Sequence, residues 1–289
     1  MPLQIRIPGV DFGATSLPQF RKRVAGFDAG PQDKLDALYL FEDGAVGDVV
    51  SRAYDSSGNA QHGAIHTGSA ALTRTAGGVL MAGGAETRGA WFDTGIDLRR
   101  SHTIFGVIRQ DNVFLAGTNL GFPTFFTATE VLPATVLTNH LHSNPAYTMN
   151  MSFQGTTAAP RAQMFRNSPI RWGAEATGPV LAQDGLKPTG YYSMVASIDA
   201  VSKLVTFKVG AATTSGPISD MLNEPAINDI LAAASFKASF GHGPNTGELT
   251  QKGGFSLFGI YGRYMNLAQC EDLISRMQAR MAARGVAID

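Results

Sequence analysis

The chain has 289 residues, of which 44% are apolar and 16% are charged, a balance that predicts a globular protein and excludes a disordered one. Its 23 Lys and Arg residues equal its 23 Asp and Glu residues, which argues against nucleic acid as the main partner because polyphosphate binders carry a basic surplus. No apolar run reaches the roughly 18 residues of a transmembrane helix, so we expect no membrane insertion.

The first segment, residues 1–36, is predicted to be an extended arm because prolines interrupt it at four positions: Pro2, Pro8, Pro18 and Pro31. It contains a basic triplet at 21–23, and it either lies over the domain surface or attaches the protein to a larger assembly. Its first twenty residues contain no apolar core of the secretory type. With a single cysteine, Cys270, the chain forms no intrachain disulfide, and we expect synthesis in the cytoplasm without a signal peptide.

After the arm, strand-like runs dominate, separated by Gly, Pro and Asn turns. They are rich in β-branched and aromatic residues, and they occupy 37–41, 102–110, 112–118, 146–154, 191–199, 203–210, 236–243 and 253–265. The run at 146–154 alternates, with Tyr147 on its apolar face, as a half-buried strand does. Many short strands at fairly even spacing, in a composition with 33 glycines and 14 prolines, predict a β-sandwich.

Two helices interrupt the strands. A short one is predicted at 224–234, and a clearer one begins at Asn266, a good N-cap residue, and ends at Gly285. Its apolar residues recur at three- and four-residue steps and form a Met-rich stripe: Leu267, Cys270, Leu273, Ile274, Met277 and Met281. Such a stripe is predicted to pack on the sheet, with docking to a partner subunit as the alternative.

The order of these landmarks resembles the laminin-G-like, or concanavalin A-like, jelly-roll superfamily. The resemblance is carried by five stretches: LYLFEDG (38–44), DSSGNAQHG (55–63), GAWFDTGIDLRRSHTIFGVIR (89–109), GYYSMVASIDAVSKLVTFKVG (190–210) and GGFSLFGIYGRYMNLAQCEDLISRM (253–277). It covers roughly residues 37–280 and fits less well between 118 and 190. It implies an all-β, two-sheet antiparallel jelly-roll sandwich over 37–289 with a C-terminal helix, and a glycan or protein ligand at one edge or on the concave face.

The histidines carry no strong metal signature. His62 and His66 are four residues apart, but Gly63 between them argues against the helix that would aim both rings at one metal. His140 and His142 share one face if their segment is a strand, and exposed pairs of this sort are usually plain surface. No clustered acidic loop for calcium is present. We therefore expect no metal and no cofactor, and we interpret the stretch around His62 as a turn.

Catalysis is not indicated either. Retaining glycosidases place two carboxylates about 5 Å apart, and no glutamate of this chain stands in such a pattern. A polysaccharide lyase would need a Tyr, His and Arg cluster, and Tyr147, Tyr261, His242 and Arg263 are the residues that would have to converge. No nucleophile-elbow, zincin or phosphate-loop motif is present. We expect a protein that is not an enzyme.

Binding is the function that remains. Sugars stack on exposed aromatic rings, while amides and arginines bond their hydroxyls. Trp172 beside Arg171, in a predicted loop between Pro169 and Gly173, is the first candidate, with a loop anchor as its alternative role. The ligand-binding residues predicted in addition are these: Tyr147, His242 and Asn245.

From these observations we expect a non-catalytic binding and assembly protein, a bacteriophage tail, receptor-binding or capsid-decoration component. It would meet a surface glycan or a neighbouring virion subunit and form a homo-oligomer, as virion symmetry favours. The alternative is a glycan-active enzyme, a lyase or hydrolase, on the same fold. A purely structural subunit without sugar affinity is a third possibility.

Overall fold

The structure is a computed structural model of the 289-residue chain. It describes residue 27 and residues 34–66, 71–81, 91–98, 101–110, 124–131, 146–156, 159–166, 170–172, 180–181, 190–199, 202, 204–210, 212–220, 236–241 and 253–288. The predicted strand at 112–118, the predicted helix at 224–234, and His140 and His142 lie outside these residues.

The regular structure of the described residues consists of β-strands and one C-terminal helix. The strands are β1 (Leu35–Tyr39), β2 (Arg52–Ala53), β3 (Gly63–His66), β4 (Leu72–Thr75), β5 (Gly78–Met81), β6 (Trp91–Leu98), β7 (Ser101–Gln110), β8 (Thr124–Val131), β9 (Ala146–Thr156), β10 (Ala159–Arg166), β11 (Ile170–Trp172), β12 (Val180–Leu181), β13 (Gly190–Asp199), β14 (Leu204–Val209), β15 (Ala212–Asp220), β16 (Phe236–Gly241) and β17 (Gly253–Tyr261). The helix is α1 (Leu267–Ala282).

These strands form two antiparallel sheets. In the described chain the first sheet has nine strands in the order β11-β15-β14-β13-β7-β17-β5-β4, with β1 also pairing β17. The second has eight, in the order β12-β10-β9-β8-β16-β6-β3-β2. The prediction of an all-β, two-sheet antiparallel sandwich with a C-terminal helix is confirmed.

Aromatic rings fill the space between the sheets. Phe92 and Phe240 of the second sheet stack at 5.0 Å between ring centroids, and Phe240 meets Phe258 of the first sheet at 4.2 Å. Phe255 and Phe258 both reach this core although they are three residues apart, because a β-bulge between Phe255 and Leu257 shifts the alternation. Strict period-two alternation in the sequence does not predict this placement.

Two glycines in the middle of the first sheet make room for rings on the neighbouring strand. Gly106 of β7 pairs with Phe258 of β17, and Gly259 pairs with Phe105. A Cβ at either glycine would overlap the ring of its partner. Phe258 lies over Gly106 and Phe105 lies over Gly259, on opposite faces of the strand pair. Glycine in a strand lacks a side chain to pack, and the contact with these rings offsets that loss of stability.

Helix α1 begins and ends as the sequence predicted. The Asn266 side chain accepts a hydrogen bond from the Gln269 amide at 3.0 Å, and the Gln269 side chain accepts one from the Asn266 amide at 3.0 Å, which makes a capping box. At the other end Gly285 adopts a φ of 72°. Its amide donates to the Ala282 carbonyl and the Val286 amide to the Met281 carbonyl, the pattern of a Schellman motif.

The Met-rich stripe of α1 packs on the first sheet, as predicted. Cys270, Met277 and Met281 are fully buried with residues of β7, β13 and β17 such as Phe105. Leu267, by contrast, is 38% exposed, because it lies in the first turn beyond the sheet contact. The helix therefore covers the central strands on one face of the first sheet while the second sheet covers the other face, and β13 is buried along most of its length.

Phe27, which lies in the segment predicted as an arm, is part of this core. Its side chain is 2% exposed and stacks on Phe105 at 5.7 Å, and its carbonyl accepts a hydrogen bond from the Tyr261 hydroxyl. Strand β1 begins at Leu35, and the Lys34 carbonyl accepts from the Gly262 amide. Phe27, which precedes the first strand, is thus anchored beneath the helix.

Charged side chains connect the end of α1 to the segment that follows β1. Arg280 donates to both carboxylate oxygens of Glu42, at 2.6 and 2.5 Å, in the two-point geometry that makes arginine–carboxylate pairs specific. Arg284 donates to the Ser256 carbonyl at 2.9 Å. Burial lowers the pKa of Arg284, and the Glu42 carboxylate opposes that shift.

Candidate functional site

The turn at 54–63 is organised by the carboxylate of Asp55, which is 3% exposed. One oxygen, Oδ1, accepts from the amides of Leu38 and Ser57 at 2.9 and 2.8 Å. The other, Oδ2, accepts from the Ser57 hydroxyl at 2.8 Å and the Gln61 amide at 3.0 Å. A carboxylate with four donors bound is saturated, so Asp55 is a structural residue and not an acid or base.

The same turn is fastened to β1 by two more side chains. The Asn59 side-chain amide donates to the Leu35 and Asp36 carbonyls at 2.6 and 3.0 Å, and the Tyr39 hydroxyl donates to the Gln61 carbonyl at 2.7 Å. Burial raises the pKa of Tyr39, and the nearby Asp55 carboxylate raises it further. This phenol therefore stays protonated and acts as a donor.

His62 and His66 do not lie on a helix, as the sequence predicted. His66 ends β3, opposite Trp91, and His62 precedes that strand. The His62 Nδ1 atom accepts a hydrogen bond from the Asp55 amide at 3.1 Å, so that nitrogen carries no metal. The structure supports the interpretation of this stretch as a fold-determining turn. Within the residues that the structure describes, no group of three His, Cys, Asp or Glu side chains could hold a metal ion.

The first ligand candidate, Trp172, does not lie in a loop, and that prediction is wrong. Arg171 and Trp172 belong to β11, where they pair with Ser219 and Ile218 of β15. Backbone pairing with β15 makes the segment a strand despite its flanking Pro169 and Gly173. Strand β11 is terminal in the described part of the first sheet, and β12, terminal in the second, contacts β15. Arg171 and Trp172 therefore lie at one end of the sandwich, where the two sheets meet.

Of the remaining candidates, Tyr147 is the one that the structure describes, and its strand lies two strands in from β12. Tyr147 lies in β9 of the second sheet, a strand as predicted, opposite Glu130 of β8. His242 and Asn245 lie outside the described residues, but they follow β16, whose Phe240 pairs with Phe126 of β8. Glu130 and Phe126 are about 13 Å apart along that strand at ~3.3 Å per residue. Tyr147 and the end of β16 therefore lie beside opposite ends of β8.

The cluster that a lyase would need is not formed among the described residues. Tyr261 is 1% exposed, and its hydroxyl donates to the Phe27 carbonyl. Arg263 lies over the Tyr261 ring, 5.8 Å from its centroid, whereas Tyr147 is on the other sheet. A tyrosine buried beneath a helix cannot abstract a proton from a polysaccharide.

A small cleft of about 150 Å³ opens beside the start of α1. Polar side chains surround an apolar floor of Met265 and Leu273: Arg263, Gln269, Asp272 and Arg276. Arg276 pairs with Asp272 at 2.6 Å. The cleft was not predicted, although the spacing of residues 269, 272, 273 and 276 already places them along one side of the helix.

Comparison with known proteins defines the class of fold. No family model matches the chain, and no curated protein matches its sequence. A mutant of Trypanosoma rangeli sialidase that displays trans-sialidase activity matches with a TM-score of 0.52 and 9% identity over 86% of this chain and 33% of that chain. The same sialidase in complex with sialic acid gives 0.51 and 10% over the same shares.

A second kind of solved structure matches equally well. The binding domain of botulinum neurotoxin DC in complex with rat synaptotagmin II gives a TM-score of 0.51 at 9% identity, over 85% of this chain and 52% of that chain. The chain thus spans a third of the sialidases and half of the toxin domain. These matches show a β-sandwich fold. No helix in the described residues is long and apolar enough to cross a membrane.

Proposed function

We propose that this chain is a non-catalytic binding and assembly protein whose sandwich meets a surface glycan or a neighbouring subunit. The observation that carries the proposal is the position of α1. Because the helix covers the central strands on one face of the first sheet and the sandwich core covers the other face, we expect the ligand of this sheet at its edges. Arg171 and Trp172, a guanidinium and a large aromatic ring, lie in the terminal strand β11.

The comparisons are compatible with either kind of ligand. One matched sialidase is in complex with sialic acid, and the matched toxin domain is in complex with a protein. At 9–10% identity these ligands belong to those proteins, since one fold supports many functions. The stacking and hydrogen-bonding chemistry of tryptophan beside arginine favours a saccharide as the ligand of this edge.

Two of the described carboxylates have structural partners, which is compatible with a non-catalytic protein. Asp55 holds four donors, and Glu42 is bound by Arg280 through both oxygens. A glycosidase needs two carboxylates directed at the substrate. The competing function is a glycan-active enzyme on the same fold, the activity that the matched sialidases have. Incubation with bacterial surface polysaccharides separates the two, because shortened chains or unsaturated products contradict the non-catalytic proposal.

The binding proposal is tested with a glycan array on the wild type and three variants. Trp172→Ala removes the ring and is expected to weaken binding about tenfold, the effect of ~1.4 kcal/mol, while Trp172→Phe keeps part of the stack. Leu204→Ala is the control, since Leu204 is 39% exposed on β14, two strands away, and it leaves binding unchanged. A wild type that binds no glycan supports the purely structural subunit instead.

The wider assignment is to a bacteriophage virion: a homo-oligomeric tail, receptor-binding or capsid-decoration component, made in the cytoplasm and used on the particle. Phe27 is buried in the core of the sandwich. This suits such a role, because the residues before Phe27 would attach the domain to the particle. Mass spectrometry of purified particles tests this assignment. Absence of the chain from every particle preparation contradicts it.

A further inference from the structure

Tyr54 is exposed at the edge of the sandwich opposite to Trp172. It follows β2, the terminal strand of the described second sheet, and it is 42% exposed, whereas Ala53 and Asp55 on either side are buried. Strands β2 and β12 end the same sheet at opposite edges, seven strand intervals or about 34 Å apart at ~4.8 Å per interval. This aromatic residue is therefore remote from the edge proposed above.

Two nitrogen-bearing side chains flank the Tyr54 ring. The Arg52 guanidinium lies over it, 5.9 Å from the ring centroid, and the His62 ring meets it edge-to-face at 5.6 Å and 73°. Because His62 Nδ1 accepts from the Asp55 amide, the neutral imidazole carries its hydrogen on Nε2. Both neighbours are therefore hydrogen-bond donors next to an aromatic ring that is partly covered by Arg52 and 42% exposed as a residue.

The backbone beneath this ring is fixed before any ligand arrives. Asp55, the next residue, accepts four hydrogen bonds and forms a β-bridge with Tyr39. The Ser56 amide donates to the Leu38 carbonyl at 2.6 Å. A ring held on such a support loses little conformational freedom on binding, and preorganisation of this kind is what gives small sites useful affinity.

We infer that Arg52, Tyr54 and His62 form a second saccharide contact, here named the Tyr54 platform. A pyranose presents an apolar C–H face that stacks on an aromatic ring, and its rim carries hydroxyl oxygens that accept from N–H donors. The Tyr54 platform offers an aromatic ring for the C–H face and two N–H donors for the hydroxyl oxygens. Two donors at one ring favour a ligand that is rich in acceptor oxygens. This inference rests on the proposed glycan-binding function and adds a separate location for it.

The platform is tested with methyl glycosides of glucose, galactose, mannose and N-acetylglucosamine and with the best oligosaccharide from the array. Affinity is measured by calorimetry, and ¹⁵N-resolved chemical shifts report where the saccharide binds. The platform predicts shifts at the amides of Tyr54, Gln61 and His62. Tyr54→Ala should weaken this binding about tenfold, and Tyr54→Phe, which keeps the ring, should stay within about threefold of the wild type. Melting temperatures of both variants should match the wild type, since Tyr54 is exposed.

The outcomes separate the two sites. Loss of affinity in Tyr54→Ala but not in Trp172→Ala supports the platform and overturns Trp172 as the saccharide contact. Full affinity in Tyr54→Ala, or shifts confined to β11 and β15, overturns the platform and leaves the proposed function standing. A wild type that binds none of these saccharides overturns both the Tyr54 platform and Trp172 as saccharide contacts.

Discussion

Replacing Asp55 tests the claim that one buried carboxylate organises the 54–63 turn. In Asp55→Ala the donors of Leu38, Ser57 and Gln61 all lose their acceptor. Water can reach Gln61, which is exposed, but the amides of Leu38 and Ser57 make buried bonds. Each unsatisfied buried amide costs about 1–3 kcal/mol, so the free energy of unfolding should fall by about 3–4 kcal/mol.

Asp55→Asn separates the geometry of this site from its charge. The amide oxygen at the Oδ1 position keeps the bonds from Leu38 and Ser57, and the amide nitrogen can donate to the Ser57 hydroxyl. Only the Gln61 amide then faces a donor, so a loss of about 1.5–2 kcal/mol is expected. Asp272→Asn is the control. It removes an exposed pair with Arg276 on α1 and should cost less than about 0.5 kcal/mol.

The assay for these three variants is urea unfolding followed by fluorescence, with the free energy taken by linear extrapolation. The slope of the unfolding free energy against urea concentration should equal that of the wild type, which would show that the native and denatured states keep their compactness. A loss below about 1 kcal/mol in Asp55→Ala, or an equal loss in the Ala and Asn variants, would refute the four-donor account.

Two further predictions concern the core beneath α1. Phe27→Ala removes a ring that is 2% exposed and stacked on Phe105; it should lower the free energy of unfolding by about 3–4 kcal/mol, and an unchanged urea midpoint would contradict the anchoring of this residue. Burial, aided by the Glu271 carboxylate, raises the pKa of the Cys270 thiol to about 12, so a disulfide reagent at pH 8 should react with the denatured but not the native protein. Because the folded pKa is the higher one, the stability from this thiol is fully present below about pH 8.5 and is lost as the pH rises toward 12; fast native labelling at pH 8 would contradict it.

Local patterns in the sequence determined the elements whose stabilising contacts are themselves local. The N-cap at Asn266 and the helix end at Gly285 depend on contacts within a few residues, so residue types at short spacing were enough to predict these two ends of the helix. The turn around Asp55 was recognisable for the same reason, since the Asp55 carboxylate accepts from the Ser57 and Gln61 amides within the loop. Alternation along β9 likewise predicted the strand that contains Tyr147.

Only the tertiary structure decided which distant segments meet. Trp172 lies in a strand because β15, some 46 residues further on, supplies its hydrogen-bond partners. Phe27 is core because the helix and β7 leave a space beside Phe105 for its ring. The bulge in β17 sends both Phe255 and Phe258 inward against the alternation. Such outcomes depend on register and on side-chain volume summed over several strands, and no window of neighbouring residues contains that information.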